Sequence, residues 1–437
     1  MTETQIGDNI HFWAATDVGR VRDHNEDNFL VDKKLNLFVV ADGMGGHAAG
    51  EVASAVAVNT MRDVIQENKD LIDALRDGSQ IASPGDVTSL LEHAVQKACA
   101  EIYKKAQKDA EKRGMGTTLS SLLVINNRGF IAHVGDSRIY MLRGGRVIQL
   151  TEDHSLVNEL VKRGKMSSEE AETSNFKNAV TRAVGVYESV DVDTIDFDVL
   201  PGDQFLLASD GLTSYLQNDE IPPILDSGED IKTFPASFID LANTRGGKDN
   251  ITTIVVRMFD PEGKASDLSR EVNLKIDTIR QMPLFRFLTY KELVRIMNIT
   301  RVVEMKSGES IIKEGDEGEE LFIVLTGLVK VHKGETEIVK LDAGAHFGEM
   351  ALVDKARRSA DVSAVEATKL LKITRSDFFQ IIRNEPPLAT KLLWSFLQVL
   401  SDRLRTTSEE LSGAREESLT TDLSKELFDF TVDEPEE

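Results

Sequence analysis

Four aspartates close or open apolar runs of the kind that form buried strands: Asp42 in LFVVADG, Asp136 in FIAHVGDS, Asp210 in FLLASDG and Asp249 at the head of DNITTIVV. A strand that ends in Asp pushes a carboxylate out of a rigid sheet, and the segment RVRDHNED adds Glu26 and Asp27 to the set. A single Asp-Gly is ordinarily a turn. Four such placements in one domain, without Cys and with little His, suit a hard, oxygen-loving divalent cation such as Mg²⁺ or Mn²⁺. A second constellation lies in FGEMALVDKARRSADV, Phe347 to Val362, where Glu349 and the adjacent cations Arg357 and Arg358 flank an apolar turn. A glutamate accepts hydrogen bonds from ribose hydroxyls, and an arginine nine residues later can return across the turn to pair with a phosphate. The turn's backbone N–H groups add further donors.

The elements that must position these groups follow from the pattern of apolar residues. At 437 residues the chain exceeds one ordinary core and implies two or three domains. From His11 to about Met258, the runs HFWAAT, LFVVAD, TLSSLLVI, FIAHVGD, RIYMLR, QFLLASD and ITTIVVRM read as strands. Two amphipathic stretches, Glu51 to Lys69 and Val87 to Lys112, interrupt them with helical spacing, which gives an α+β layered domain. The polar stretch DPEGKASDL reads as a linker and Ser269 to Gln281 as a helix. Beyond it, the glycine-punctuated runs SIIKEG, LFIVLTG, LVKVHKG and EIVKLDAG predict a small β-barrel or β-roll. A long helix from Leu388 to about Leu411 precedes an acidic tail expected to be disordered.

Composition removes several function classes. Fifty-one basic residues against 74 acidic ones leave a net charge of -23, which argues against general nucleic-acid binding and against anionic membranes. The single cysteine, Cys99, excludes an intramolecular disulfide and reads as a small buried apolar residue in a helix. No apolar run reaches the roughly 20 residues of a membrane-spanning helix, and MTETQIGDNI lacks the features of a signal peptide. The expectation is a soluble cytoplasmic protein.

The motifs TDVGRVRDHNED, VVADGMGGHAAGE, GMGTTL, AHVGDSRIY, LTEDHS, LLASDGL and GGKDNITTIVV occur in this order over residues 10 to 258. Together they resemble the bacterial metal-dependent protein phosphatase 2C family. The resemblance implies an α-β-β-α sandwich over residues 1–259 that hydrolyses phosphoserine and phosphothreonine in proteins, using two or three Mn²⁺ or Mg²⁺ ions. By motif position it implies that Asp42 bridges two ions and that the Gly43 carbonyl ligates one. Asp210 and Asp249 complete the first ion's shell, and Asp27, with Glu26 nearby, holds waters around the second. Asp136, with Asp210, matches a third-metal position, and Arg22 matches the arginine that pairs with the substrate phosphate. Two dications about 4 Å apart would acidify a bridging water and neutralise the transition-state oxygens. Met44 stands where animal members carry a histidine, as it does in bacterial relatives. The segment from Asp153 to Gly185 corresponds to a mobile flap in relatives, or to a plain surface connection.

Residues 282–411, behind a linker and helix at 260–281, resemble the cyclic-nucleotide-binding domain, with FGEMALVDKARRSA matching its phosphate-binding cassette. The resemblance implies a β-roll with flanking helices. Glu349 takes the ribose 2′-hydroxyl, Arg358 the cyclic phosphate, and Gly348, Ala351 and Ser359 make close contacts. Arg357 is left to the surface or a partner, and Asp361 adds a negative charge nearby. The run LQVLSDRLRTTSEEL resembles the dimerisation helix of the catabolite activator protein, and Thr407 and Ser408 match its adenine-contacting pair, so cAMP is favoured over cGMP. Leu392, Leu393, Phe396, Leu397, Leu400 and Leu404 recur at helical spacing, as a homodimer seam or as packing on the β-roll. About 29 residues, rich in acid, follow Ser408, so a DNA-reading transcription factor is not the expected reading, and residues 412–437 are expected to form the tail. The resulting expectation is a phosphatase acting on phosphoproteins and regulated by a cyclic nucleotide. Its alternatives are a non-catalytic nucleotide-sensing scaffold and a phosphatase with a vestigial nucleotide pocket.

Overall fold

The computed structural model describes residues 10–412 except 46–47, 80, 168–169, 172–173, 175, 177–178, 260–264, 299, 354–356, 385–387, 403, 406–407 and 410–411. Thr407 and the tail beyond residue 412 therefore lie outside the described residues. The chain divides into two compact units, Met1–Asn273 and Leu274–Glu437.

The first unit contains strands β1 (Ile10–Asp17), β2 (Asn28–Asp32), β3 (Leu37–Ala41), β4 (Gly43–Met44), β5 (Gly116–Thr117) and β6 (Leu119–Ile125), followed by β7 (Arg128–Val134), β8 (Arg138–Arg143), β9 (Arg146–Gln149), β10 (Asp193–Asp198), β11 (Gln204–Ala208) and β12 (Ile251–Met258). Two five-stranded antiparallel sheets, ordered β1-β12-β11-β8-β9 and β10-β7-β6-β3-β2, face each other. Phe12 and Phe38 meet between them at 5.4 Å, as do Phe197 and Phe205 at 5.9 Å. β3, β6 and β11 are buried along their whole length, so each must be covered on both faces. Leu37, Val39 and Ala41 supply the outer face of one sheet, packed with Ala53, Ala57 and Met61 of helix Ala48–Glu67 and Leu91 and Val95 of helix Pro84–Lys108. Leu206 and Val255 do the same on the other sheet against Phe234 and Phe238 of helix Phe234–Thr244. The layers are α-β-β-α.

Helix Pro84–Lys108 starts before the expected Val87 because Ser83 and Asp86 cap each other reciprocally, with Pro84 in the first turn. β2, β9 and β10, which composition did not single out, are sheet-edge strands of mixed burial. A buried ion pair fixes the far end of β8. Arg143 donates from Nε to Asp203 Oδ1 at 2.8 Å and from Nη2 to the Asp198 carbonyl at 2.7 Å, and Asp203 Oδ2 accepts from the Leu200 N–H at 2.8 Å. Removing one partner from such a pair costs about 3–5 kcal/mol, because the other charge is left buried and alone.

The second unit holds β13 (Arg301–Met305), β14 (Ser310–Ile312), β15 (Glu320–Thr326), β16 (Val329–Lys333), β17 (Thr336–Leu341), β18 (His346–Phe347), β19 (Asp361–Ala364) and β20 (Thr368–Thr374). They form two four-stranded antiparallel sheets, β13-β20-β15-β18 and β14-β19-β16-β17, around Phe322, Val324, Val329, Phe347 and Leu370. Leu321, Ile323 and Leu371 point the other way and join Phe285, Leu293, Phe378 and Phe396 in a second core. Residues 388–402 are helical. The apolar stripe read in that region splits into two faces: Leu392 and Phe396 are buried, whereas Leu393, Leu397, Leu400 and Leu404 are exposed, as is Trp394. No helix among the described residues is long and apolar enough to cross a membrane.

Candidate functional site

β3 ends at Ala41 and delivers Asp42, whose backbone is held on both sides. Its N–H donates to Thr118 Oγ1 at 2.9 Å, and its carbonyl accepts from the Thr118 N–H at 2.9 Å and from Thr117 Oγ1 at 2.8 Å. Thr118 Oγ1 also lies 2.8 Å from Ser137 Oγ, next to Asp136, so one hydroxyl pair joins the Asp42 and Asp136 segments. At Gly43 an added Cβ would fall 2.3 Å from the Gly50 carbonyl oxygen and 2.4 Å from that of Glu26, so no side chain fits. A Cβ on Gly50 would strike the Glu26 carboxylate at 2.6 Å.

The loop carrying Glu26 and Asp27 is fastened from the other end of the unit. Asn250 donates from Nδ2 to the carbonyls of Val18 and His24, at 3.0 and 2.9 Å, and accepts from the Glu26 N–H at 2.9 Å. Ser209 Oγ donates to Asp27 Oδ2 at 2.8 Å. Asp249 accepts from the Asn250 N–H through Oδ1 and from Arg22 Nη2 through Oδ2 at 2.7 Å. Arg22, Glu26, Asp42, Gly43, Asp136, Asp210 and Asp249 all line one cavity of about 280 Å³, and Asp27 stands beside it with its charge felt by Asp42. A larger cavity of about 760 Å³ shares Asp136 and Asp210 and extends over Ser155, Asn158 and Leu216. On its wall Arg138 is committed to Asp153, with Nη2 to Oδ2 at 2.7 Å.

The electrostatics of this cluster are unfavourable as it stands. Burial, and then the neighbouring charges of Asp27 and Asp210, push Asp42 well above the usual carboxylate range. Burial pushes Asp27 and Asp136 up to about 7, and burial with Asp249 raises Asp210. The Asp42 and Asp210 carboxyls also act on each other, which adds to the rise at Asp42. Neither Asp27 Oδ1 nor Asp210 Oδ1, both buried, has a hydrogen-bond partner among the described residues. Buried carboxylate oxygens left without donors are what a cation would satisfy, so the residues fit divalent metal. Among the described residues no three His, Cys, Asp or Glu side chains form a ready-made cage for one ion.

In the second unit the chain leaves β18 at Phe347, turns at Gly348 with φ of 78° and enters the short helix Met350–Val353. Arg358 returns across this turn. Its Nη1 lies 3.4 Å from the Gly348 carbonyl, and its Nη2 donates to the Glu320 carbonyl at 3.0 Å and to Glu320 Oε2 at 3.2 Å. A Cβ on Gly318 or Gly348 would strike this guanidinium at 2.1 or 2.7 Å, so both glycines make its slot. Glu349 and Ala351 are buried, while Ser359, Ser408 and Arg357 are exposed. Arg357 donates to the Gly315 carbonyl at 3.2 Å. The negative charge of Asp361 accepts from the Glu314 N–H at 3.0 Å. Sequence reading missed Glu320, Asn250, Ser209 and Thr118. The neighbours of Asp210 and Asp249 in SDG and KDN were the available signal for Ser209 and Asn250.

Two family patterns match the chain: Protein phosphatase 2C over residues 20–253 and Cyclic nucleotide-binding domain over residues 302–385. A serine/threonine phosphatase stp of Listeria innocua is 40% identical over 250 residues, covering 56% of this chain and 95% of that protein. The crystal structure of the Mycobacterium tuberculosis serine/threonine phosphatase PstP/Ppp superposes with a TM-score of 0.51 at 32% identity, covering 57% of this chain and 99% of the other. A catalytic domain of PstP in complex with two manganese ions gives 0.50 at 32% identity, covering 57% and 99%.

Proposed function

The chain belongs to the protein phosphatase 2C family and is a protein serine/threonine phosphatase, and from that premise we propose that divalent cations work in its first unit under control of a cyclic nucleotide in its second. The catalytic region spans residues 1–259, the nucleotide region residues 282–411. The observation that carries the metal reading is the set of crowded, buried carboxylates with orphaned oxygens at Asp27 and Asp210. The relative solved with two manganese ions supports the same choice of ion. Two or three Mn²⁺ or Mg²⁺ ions are held by Asp42, the Gly43 carbonyl, Asp210 and Asp249, with Glu26 and Asp27 holding waters and Asp136 serving a third ion. Bound there, such ions supply an acidified water and neutralise phosphoryl oxygens.

The protein's own groups do the rest. Arg22, half-exposed at the cavity mouth, pairs with the phosphate of a phosphoserine or phosphothreonine protein through its planar fork. The backbone grip on Asp42 fixes its carboxylate before substrate arrives. Met44 lines the cavity without a titratable group, so the leaving oxygen takes its proton from elsewhere. In the second unit Glu349 and Arg358 hold ribose and cyclic phosphate, with Gly348, Ala351, Ser359, Thr407 and Ser408 around them. cAMP is the preferred ligand over cGMP. The exposed face formed by Leu393, Leu397, Leu400 and Leu404 is the proposed homodimer seam, and the cytoplasm is the proposed compartment.

Release of p-nitrophenol from p-nitrophenyl phosphate, measured on the full chain against Mn²⁺ concentration, is expected to rise from baseline, saturate and vanish with chelator. Turnover that is absent, or unchanged by chelator, would overturn the metal reading.

A further inference from the structure

The cavity of metal-seeking carboxylates contains one cation among the described residues that line it, Arg22. Its Nη2 sits 2.7 Å from Oδ2 of Asp249, a carboxylate that the proposed function gives to a metal ion. The contact spans 227 positions of sequence, so it is made by the fold and not by neighbouring residues. Asp249 Oδ1 is occupied by the Asn250 N–H at 2.9 Å, which leaves Oδ2 as the oxygen that Arg22 and an incoming cation both seek. The guanidinium also feels the charges of Glu26 and Asp42. The other arginine nearby, Arg138, is no substitute, because Asp153 and Tyr140 engage it through three of its nitrogens.

We infer that Arg22 is the stand-in counter-ion of the metal-free site, and that divalent cations displace it from Asp249 and so deliver it to the substrate phosphate. The inference rests on the metal reading above and adds a coupling to it. A dication beside Asp249 places like charges within a few ångströms of each other, and the guanidinium is the mobile partner. Its side chain is 54% exposed against 32% for Asp249, so it has open solvent to swing into. An anionic phosphate at the cavity mouth then takes the fork that Asp249 gave up, with two oxygens to match two N–H groups. Before metal loads, the phosphate arginine is engaged elsewhere. Phosphate capture and metal loading are therefore linked, and each must favour the other.

The test is the affinity of the full-length protein for Mn²⁺ alone, measured by titration calorimetry on the parent, Arg22→Ala, Arg22→Gln and Asp210→Asn. Without the competing guanidinium, both Arg22 variants are expected to bind Mn²⁺ roughly two- to five-fold more tightly, the range for breaking a partly exposed ion pair. Equal or weaker Mn²⁺ binding in both overturns the inference. Asp210→Asn separates that failure from failure of the metal site itself: a large loss there with no gain in the Arg22 variants sinks only the coupling. Unchanged Mn²⁺ binding in Asp210→Asn sinks the site, and the coupling with it.

Discussion

The Asp210→Asn substitution is expected to lower metal-dependent turnover on the order of 10²- to 10³-fold, the loss that follows removal of one preorganised charge-stabilising group. The same change is expected to leave the metal-free protein at least as stable as its parent, because it removes one charge from a crowded, desolvated set. The pH dependence of the metal-free parent follows from the same crowding. Asp27 and Asp136 sit near 7 in the folded chain against ordinary carboxylate values when unfolded. Between about pH 4 and 7 the folded state thus binds more protons than the unfolded state, and its stability falls as pH rises through that window. Mn²⁺ is expected to reverse the fall by taking the protons' place. Thermal melts from pH 5 to 8 with and without Mn²⁺ check this. A metal-free parent whose stability climbs steadily over that window would contradict it.

Arg358→Ala is expected to weaken cAMP binding roughly 30- to several-thousand-fold, which corresponds to losing about 2–5 kcal/mol from a desolvated charge pair. The magnitude is large because the Arg358 side chain is only 8% exposed. Its present partners are the Glu320 carboxylate and two backbone carbonyls, so its charge has little access to water. Arg357→Ala is the natural contrast, since that side chain is exposed and, among the described residues, donates to the Gly315 carbonyl. Calorimetric titration with cAMP on the full chain distinguishes them. Equal effects from the two substitutions would mean that the pair acts as a patch of charge and not as a pocket.

Many groups that line the two candidate sites were legible because they are punctuation in strong local patterns. Asp42, Asp136 and Asp210 each follow an apolar run whose burial is unambiguous, so their emergence at the edge of a sheet could be read directly. Arg358 returns to Gly348 across a turn whose spacing is visible in the sequence. The groups that were missed act over long separations. Asn250 holds a loop 226 positions away, Ser209 reaches Asp27 over 182, and Glu320 meets Arg358 over 38. Adjacency to Asp210 and Asp249 marks Ser209 and Asn250 as neighbours of the site, but no local pattern names the distant groups they hold, and none marks Glu320. The leucine-rich helix shows a different limit. Leu392 and Leu393 share composition and neighbours, yet one is buried against the β-roll and the other exposed, because apolar residues run wider than one helical face. Only packing decides which side is core.

The most direct test of the combined account is the rate at which the full-length protein, loaded with Mn²⁺, dephosphorylates a phosphothreonine peptide with and without saturating cAMP. The rate is expected to change on adding cAMP in the parent and to stay constant in Arg358→Ala. A parent rate that is indifferent to cAMP would contradict it.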